Sequence, residues 1–211
     1  MHRYVTEFIG TFFLVLTVGL VVANGTALAP IAIGSALMVM VYMGGHISGG
    51  HYNPAVSLAV LMRGKLASGE FVTYFLVQAI GGLSGAIVAS RLAGISIAPA
   101  PAADAGALAP LLVEILFTFA LALVVLNSAT DKATEGNSFY GLAIGFTVMV
   151  GAAAGGPISG GAFNPAVGIG LVLNHSLFGA GSIDGLWLYL VGPLTGGALA
   201  AAVFKVQHPE S

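Results

Sequence analysis

The sequence predicts an all-α membrane protein with six transmembrane helices and two re-entrant half-helices, arranged as an inverted two-fold repeat. Three observations carry this. The 211 residues are 57% hydrophobic and 7% charged, whereas soluble domains carry roughly a quarter charged residues, so a water-facing surface cannot be covered. The apolar runs are about 20 residues long, the length that crosses a bilayer core as helix. One phrase is written twice, GGHISGGHYNPAV from Gly44 to Val56 and GGPISGGAFNPAV from Gly155 to Val167, with Asn53 and Asn164 standing 111 residues apart. A period of about half the chain marks two copies of one supersecondary unit. Three spans per copy turn the second copy over relative to the first.

The first span is Tyr4 to Ala23, too long in its apolar part for a signal peptide and carrying Glu7 inside it. Asn24-Gly25 is a turn, and Ile31 to about Gly45 is the second span. After the first glycine bend, Pro54 to Met62 gives about 14 Å of helix at 1.5 Å per residue. That is half of a core about 30 Å thick, so the segment enters the membrane without crossing it. Ser68 to Arg91 is the third span and contains Gln78; Ala98 to Ala109 is a Pro/Ala loop joining the copies. In the second copy, Leu111 to Asn127, Phe139 to Ala154 and Ile183 to Phe204 are spans, Pro165 to Leu173 is the second half-helix, and a short polar tail follows. Arg3, Arg63, Lys65, Lys132 and Lys205 fall on one side if both termini are cytoplasmic, with Arg91 the exception.

Each half-helix begins as helices do, with Asn at the N-cap and Pro at the first helical position: Asn53-Pro54-Ala55 and Asn164-Pro165-Ala166. Non-helical backbone at membrane depth is tolerated only where it is buried in protein or lines a water-filled cavity. Two half-helices from opposite faces can meet tip to tip, their positive dipole ends converging. The Asn side-chain oxygens cap the helices, leaving the NH₂ groups to donate into a lumen. A water there turns its oxygen to both amides and cannot pass a proton along the file. Carbonyls of the glycine bends supply acceptors on an otherwise apolar wall.

The doubled box, six spans and two half-helices resemble the aquaporin (major intrinsic protein) family, over nearly the whole chain from Tyr4 to about Val206. One Asn-Pro-Ala triplet is weak evidence; two, each inside GxISGGxxNPAV at the repeat spacing, are specific. The resemblance implies one transmembrane channel domain over 1–211, with repeat one about 4–97 and repeat two about 108–206. It implies a passive path for water and small neutral solutes, and a homotetramer in the lipid bilayer. It also implies that Glu7 and Glu114, at matching places in the first and fourth spans, hold the re-entrant loops by accepting backbone N–H groups. The rival reading of these carboxylates is a proton relay in a coupled transporter.

The informative departure is at the narrow ring. Water-selective members of the family place an Arg directly after the second Asn-Pro-Ala; here Val167 stands there. By the family's spacing the other ring positions fall on Ile33, Ala152 and Gly161, so a wider and less polar filter is expected. Glycerol channels carry an Asp next, and here position 168 is Gly. A pair in the last span maps to Tyr189-Leu190, mixed between water and glycerol types. Glycerol, urea, ammonia and undissociated metalloid acids are the candidate solutes; a strictly water-selective pore is the alternative, a secondary transporter a further one.

His51 is expected in the cytoplasmic vestibule or, alternatively, as a buried histidine with its hydrogen bonds satisfied, while His2, His175 and His208 lie near ends or loops. No pattern of His, Asp or Glu suggests a metal site, no nucleophile–base constellation suggests catalysis, and no cofactor is implied. Net charge of -2 gives no reason to expect nucleic acid. Cysteine is absent, which excludes disulfides. A short chain with minimal termini suits a bacterial inner membrane.

Overall fold

The computed structural model describes residues 1–209. In chain order the helices are α1 (His2–Ala23), α2 (Ala29–Ser48), α3 (Pro54–Met62), α4 (Ser68–Ala93), α5 (Leu108–Val125), α6 (Tyr140–Ser159), α7 (Pro165–Phe178) and α8 (Leu188–Gln207). A π-helical turn, Leu126–Thr130, prolongs α5. Six of these are long and apolar enough to cross a membrane; α3 and α7 are the half-helices. Glu210 and Ser211, the end of the expected polar tail, lie outside the described residues.

Packing follows the duplication. In one copy α1 lies along α4, and in the other α5 lies along α8; α2 and α6 meet across the join. The half-helices are exchanged, α3 packing against α8 and α7 against α4. Two glycines make this possible. A Cβ at Gly82 of α4 would run into the carbonyl oxygen of Ala166, and one at Gly197 of α8 into that of Ala55. Small residues let transmembrane backbones approach closely, and here they press both half-helix starts against full spans.

Several boundaries differ from expectation. The second and fifth spans continue past Gly45 and Ala154 to Ser48 and Ser159, each stopped by a left-handed glycine, Gly49 (φ 93°) and Gly160 (φ 90°). The glycine-rich letters are therefore largely helix, and each helix stops at the first of two successive glycines in positive φ, Gly49-Gly50 and Gly160-Gly161. α7 runs to Phe178 rather than Leu173, 14 residues or about 21 Å, because nothing in Asn174-His175-Ser176 breaks a helix. α8 starts at Leu188, not Ile183; Asp184-Gly185 lies in a turn closed by Leu186 N–H on Ile183 O.

The segment after α5 is tied down from inside and from the tail. Asn137 donates to Ser128 O and Thr134 O and accepts from Phe139 and Tyr140 N–H. His208 bridges Asp131 at 3.1 Å and Asn127 at 2.9 Å and stacks on Phe204, whose ring is also faced by Arg63. This segment forms one wall of a vestibule of about 690 Å³ that also holds Arg3, His46, Lys65 and Lys132.

Candidate functional site

The site is built where α3 and α7 begin. Asn53 Oδ1 accepts Ala55 N–H at 2.8 Å, and Asn164 Oδ1 accepts Ala166 N–H at 2.9 Å, so both asparagines cap their helices. Their NH₂ groups are not wholly free, which corrects the sequence expectation. Asn53 Nδ2 donates to Phe163 O at 2.9 Å, and Asn164 Nδ2 donates to Tyr52 O at 2.9 Å. Each half-helix tip is thus lashed to the loop of the other. Each planar amide keeps one N–H, and both asparagines border the central cavity. The acceptor carbonyls belong to residues in left-handed backbone, Tyr52 (φ 50°) and Phe163 (φ 49°). Non-glycine residues rarely adopt this conformation, and it clusters at functional sites held by surrounding structure.

That surrounding structure is a pair of buried carboxylates. Glu7, fully buried, accepts Ser48 Oγ–H (2.6 Å) and His51 N–H (3.0 Å) on Oε1, and Tyr52 N–H (2.7 Å) and Gln78 Nε2–H (2.8 Å) on Oε2. Glu114 accepts Ser159 Oγ–H (2.8 Å) and Ala162 N–H (3.0 Å) on Oε1 and Phe163 N–H (2.7 Å) on Oε2. Tyrosine hydroxyls add matching bonds, Tyr74 to Ser48 O and Tyr189 to Ser159 O. Every oxygen of both carboxylates is occupied, so each acts as a multiple acceptor for a loop whose N–H groups have no helix partner.

The copies differ in the side chains around the first loop. Gln78 also donates to Ser57 Oγ, which lies 3.0 Å from His51 Nδ1, so the first loop carries a side-chain network. The second copy has Ala162, Gly168 and Pro193 at the corresponding places and no such network.

Between the tips lies a cavity with about 30 Å³ open to water centres, where one water needs about 10–15 Å³. That is room for about two or three waters. Its polar side chains are His51, Asn53 and Asn164; the rest of the wall is aliphatic, Phe163, Ala162 or glycine backbone from Gly50 and Gly161. Among the described residues no Lys, Arg, Asp or Glu lines it. With the dipole ends of α3 and α7 both directed here, the local field is positive and no fixed anion offsets it at the wall.

Of the residues expected at the narrow ring, Ile33, Gly161 and Val167 line this cavity. Ala152 does not; α6 contributes Val148 and Ile144, and Ala152 is half-buried one turn beyond Val148. His51 borders both the cavity and the vestibule. Pro54, Ala55, Pro165 and Ala166 are buried behind the tips. Tyr189 is fully buried against Gly168. Sequence reasoning missed the reciprocal amide–carbonyl bonds and the serine anchors, although Ser48 and Ser159 are matched letters of the doubled phrase. Gln78 was visible as a polar residue inside a span, but its partners were not.

Comparison with known proteins gives one answer. The family described as Major intrinsic protein matches residues 1–204. Aquaporin NIP1-4 of Oryza sativa subsp. japonica is 36% identical over 218 residues, covering 98% of this chain and 77% of its own. Glycerol uptake facilitator protein-like 6 of Lactiplantibacillus plantarum is 34% identical over the full length of both. The X-ray structure of the aquaglyceroporin from Plasmodium falciparum superposes with a TM-score of 0.83 over 99% of this chain and 97% of that one, at 22% identity, a likeness of fold.

Proposed function

The chain belongs to the major intrinsic protein family, and from that premise we propose that it passes neutral solutes larger than water alongside water itself. It is an integral membrane protein of a channel family, not an enzyme. The proposed path runs from the vestibule past His51, between Asn53 and Asn164, and out past Ile33, Gly161 and Val167, with Ala152 at the mouth. The observation that carries the reading is Val167: the side chain directly after Ala166 is aliphatic and faces the cavity, where the water-selective pattern has a cation. An apolar wall with few polar stations suits glycerol, urea, ammonia and undissociated acids, which carry donors and an apolar edge but no charge. A relative identical at 34% and named for glycerol uptake supports the same solute class.

The proposed division is one channel domain made of two repeats, with both termini on the side where Arg3, Lys65 and Lys132 gather round the vestibule, taken as cytoplasmic. Four copies per assembly are proposed by family likeness; outward apolar residues such as Val72, Leu76 and Ile80 of α4 can face lipid or another copy. Stopped-flow uptake into proteoliposomes tests the solute reading, with water, glycerol, urea and a metalloid acid measured in one preparation.

A further inference from the structure

The two tips are near-copies in backbone but not in support. Phe163 and Tyr52 share left-handed φ, give their N–H to a carboxylate at 2.7 Å and offer their carbonyl to the opposite asparagine. Phe163 ends in a ring that packs on Phe117, centroids 5.5 Å apart. Tyr52 ends in a hydroxyl, which donates to Met40 O of α2 at 2.9 Å. Its ring is fully buried and occupies space that two glycines leave open: a Cβ at Gly10 of α1 or at Gly44 of α2 would run into it. Tyr52 is therefore held at its ring, its hydroxyl, its N–H and its carbonyl.

We infer that the Tyr52 phenol is a strut that aims the amide of Asn164, the asparagine of the opposite half-helix. The chain of contacts is short. Met40 lies on α2, which also carries Ile33 and Leu37 into the cavity. The hydroxyl fixes the distance from that helix to the Tyr52 backbone, and the backbone carbonyl takes one N–H of Asn164. An amide is planar, and Asn164 Oδ1 is already committed to Ala166 N–H. Fixing one N–H and the oxygen fixes the direction of the second N–H, the one left for the lumen. Asn53 has no counterpart strut, because its acceptor is the carbonyl of a phenylalanine. Tyr52 is a positioning residue; it does not border the cavity itself.

The test is a double-substitution cycle in proteoliposomes. Tyr52→Phe removes only the hydroxyl. Asn164→Ser and Asn53→Ser each keep a capping oxygen and remove the amide. The flux readout is the ratio of proton leak, from an internal pH dye, to osmotic water permeability. A loosened Asn164 amide no longer holds a passing water with its oxygen inward. Tyr52→Phe should raise the ratio about fivefold, the scale of one hydrogen bond. On the Asn164→Ser background the same change should be almost silent, and on the Asn53→Ser background it should keep its size. No rise from Tyr52→Phe, or an equal rise on both backgrounds, overturns the inference. The inference rests on the water conduction proposed above, so melting temperatures of the same six proteins provide a second readout independent of flux. Coupling of Tyr52→Phe to Asn164→Ser but not to Asn53→Ser supports the strut, and additivity with both refutes it. A protein that conducts nothing refutes the proposed function while the melting cycle still decides this point.

Discussion

Glu7→Gln separates the two halves of the scaffold. Glu7 accepts four hydrogen bonds, two on each oxygen, and every donor points inward from a buried position. A glutamine has one oxygen, so with the Ser48 hydroxyl and the Gln78 amide keeping their present orientations two donors face an NH₂ either way. Glu114 accepts three bonds, and a glutamine there can turn its oxygen to Ser159 and Ala162, leaving Phe163 N–H alone without an acceptor. A hydrogen bond to a buried charged group is worth about 1.5–3 kcal/mol. Two lost bonds at Glu7 therefore come to about 3–6 kcal/mol, and one at Glu114 to about 1.5–3 kcal/mol. For a chain of this length each kcal/mol moves the melting temperature by about 2–4 °C. Glu7→Gln should thus melt about 13 °C below the parent and Glu114→Gln about 7 °C below it, by loss of near-ultraviolet ellipticity in detergent. Water permeability of both variants should fall, because the tips that hold Asn53 and Asn164 are no longer moored. A melting temperature for Glu7→Gln within about 2 °C of the parent, or a larger loss for Glu114→Gln, would refute the account of how the loops are held.

Two further substitutions probe the bore. Val167→Arg puts a longer, charged side chain into a cavity with room for two or three waters, so glycerol flux should fall at least about tenfold while water flux falls less than about threefold; equal loss of both in stopped flow argues against Val167 as a determinant of size. Val148→Phe should lower glycerol flux several-fold more than Ala152→Phe, because Val148 lines the cavity and Ala152 lies a turn outside it; the reverse order in the same uptake assay places the narrow point further out.

Much of the fold is legible in the sequence, and the reason is physical. A bilayer asks for long apolar runs, so six spans follow from run lengths, and the two half-helices follow from an Asn-Pro start ahead of a run too short to cross. The N-caps were legible because Asn-Pro is a local signal whose bond, Asn53 Oδ1 to Ala55 N–H, spans two residues. Errors fell where the decisive contact is distant or the local signal ambiguous. Glycine runs look like bends, yet α2 and α6 pass through them and stop only at Gly49 and Gly160. The bond from Asn164 to Tyr52 O joins residues of different copies, and no pattern within either copy announces it. Ile33, Gly161 and Val167 border the central cavity together with Val148 of α6, while Ala152 stands one turn away, so residues assigned to the narrow ring by spacing need not all border the cavity between the tips.

The central claim is that two half-helix tips and an aliphatic wall make a passage for neutral molecules wider than water. The most direct measurement is a single proteoliposome preparation challenged in turn with osmotic gradients of sucrose, glycerol, urea and a metalloid acid. The account predicts rapid shrinkage in sucrose, followed in at least one of the other gradients by fast re-swelling as solute enters. Rapid water flow with every solute excluded as completely as in empty vesicles would contradict it.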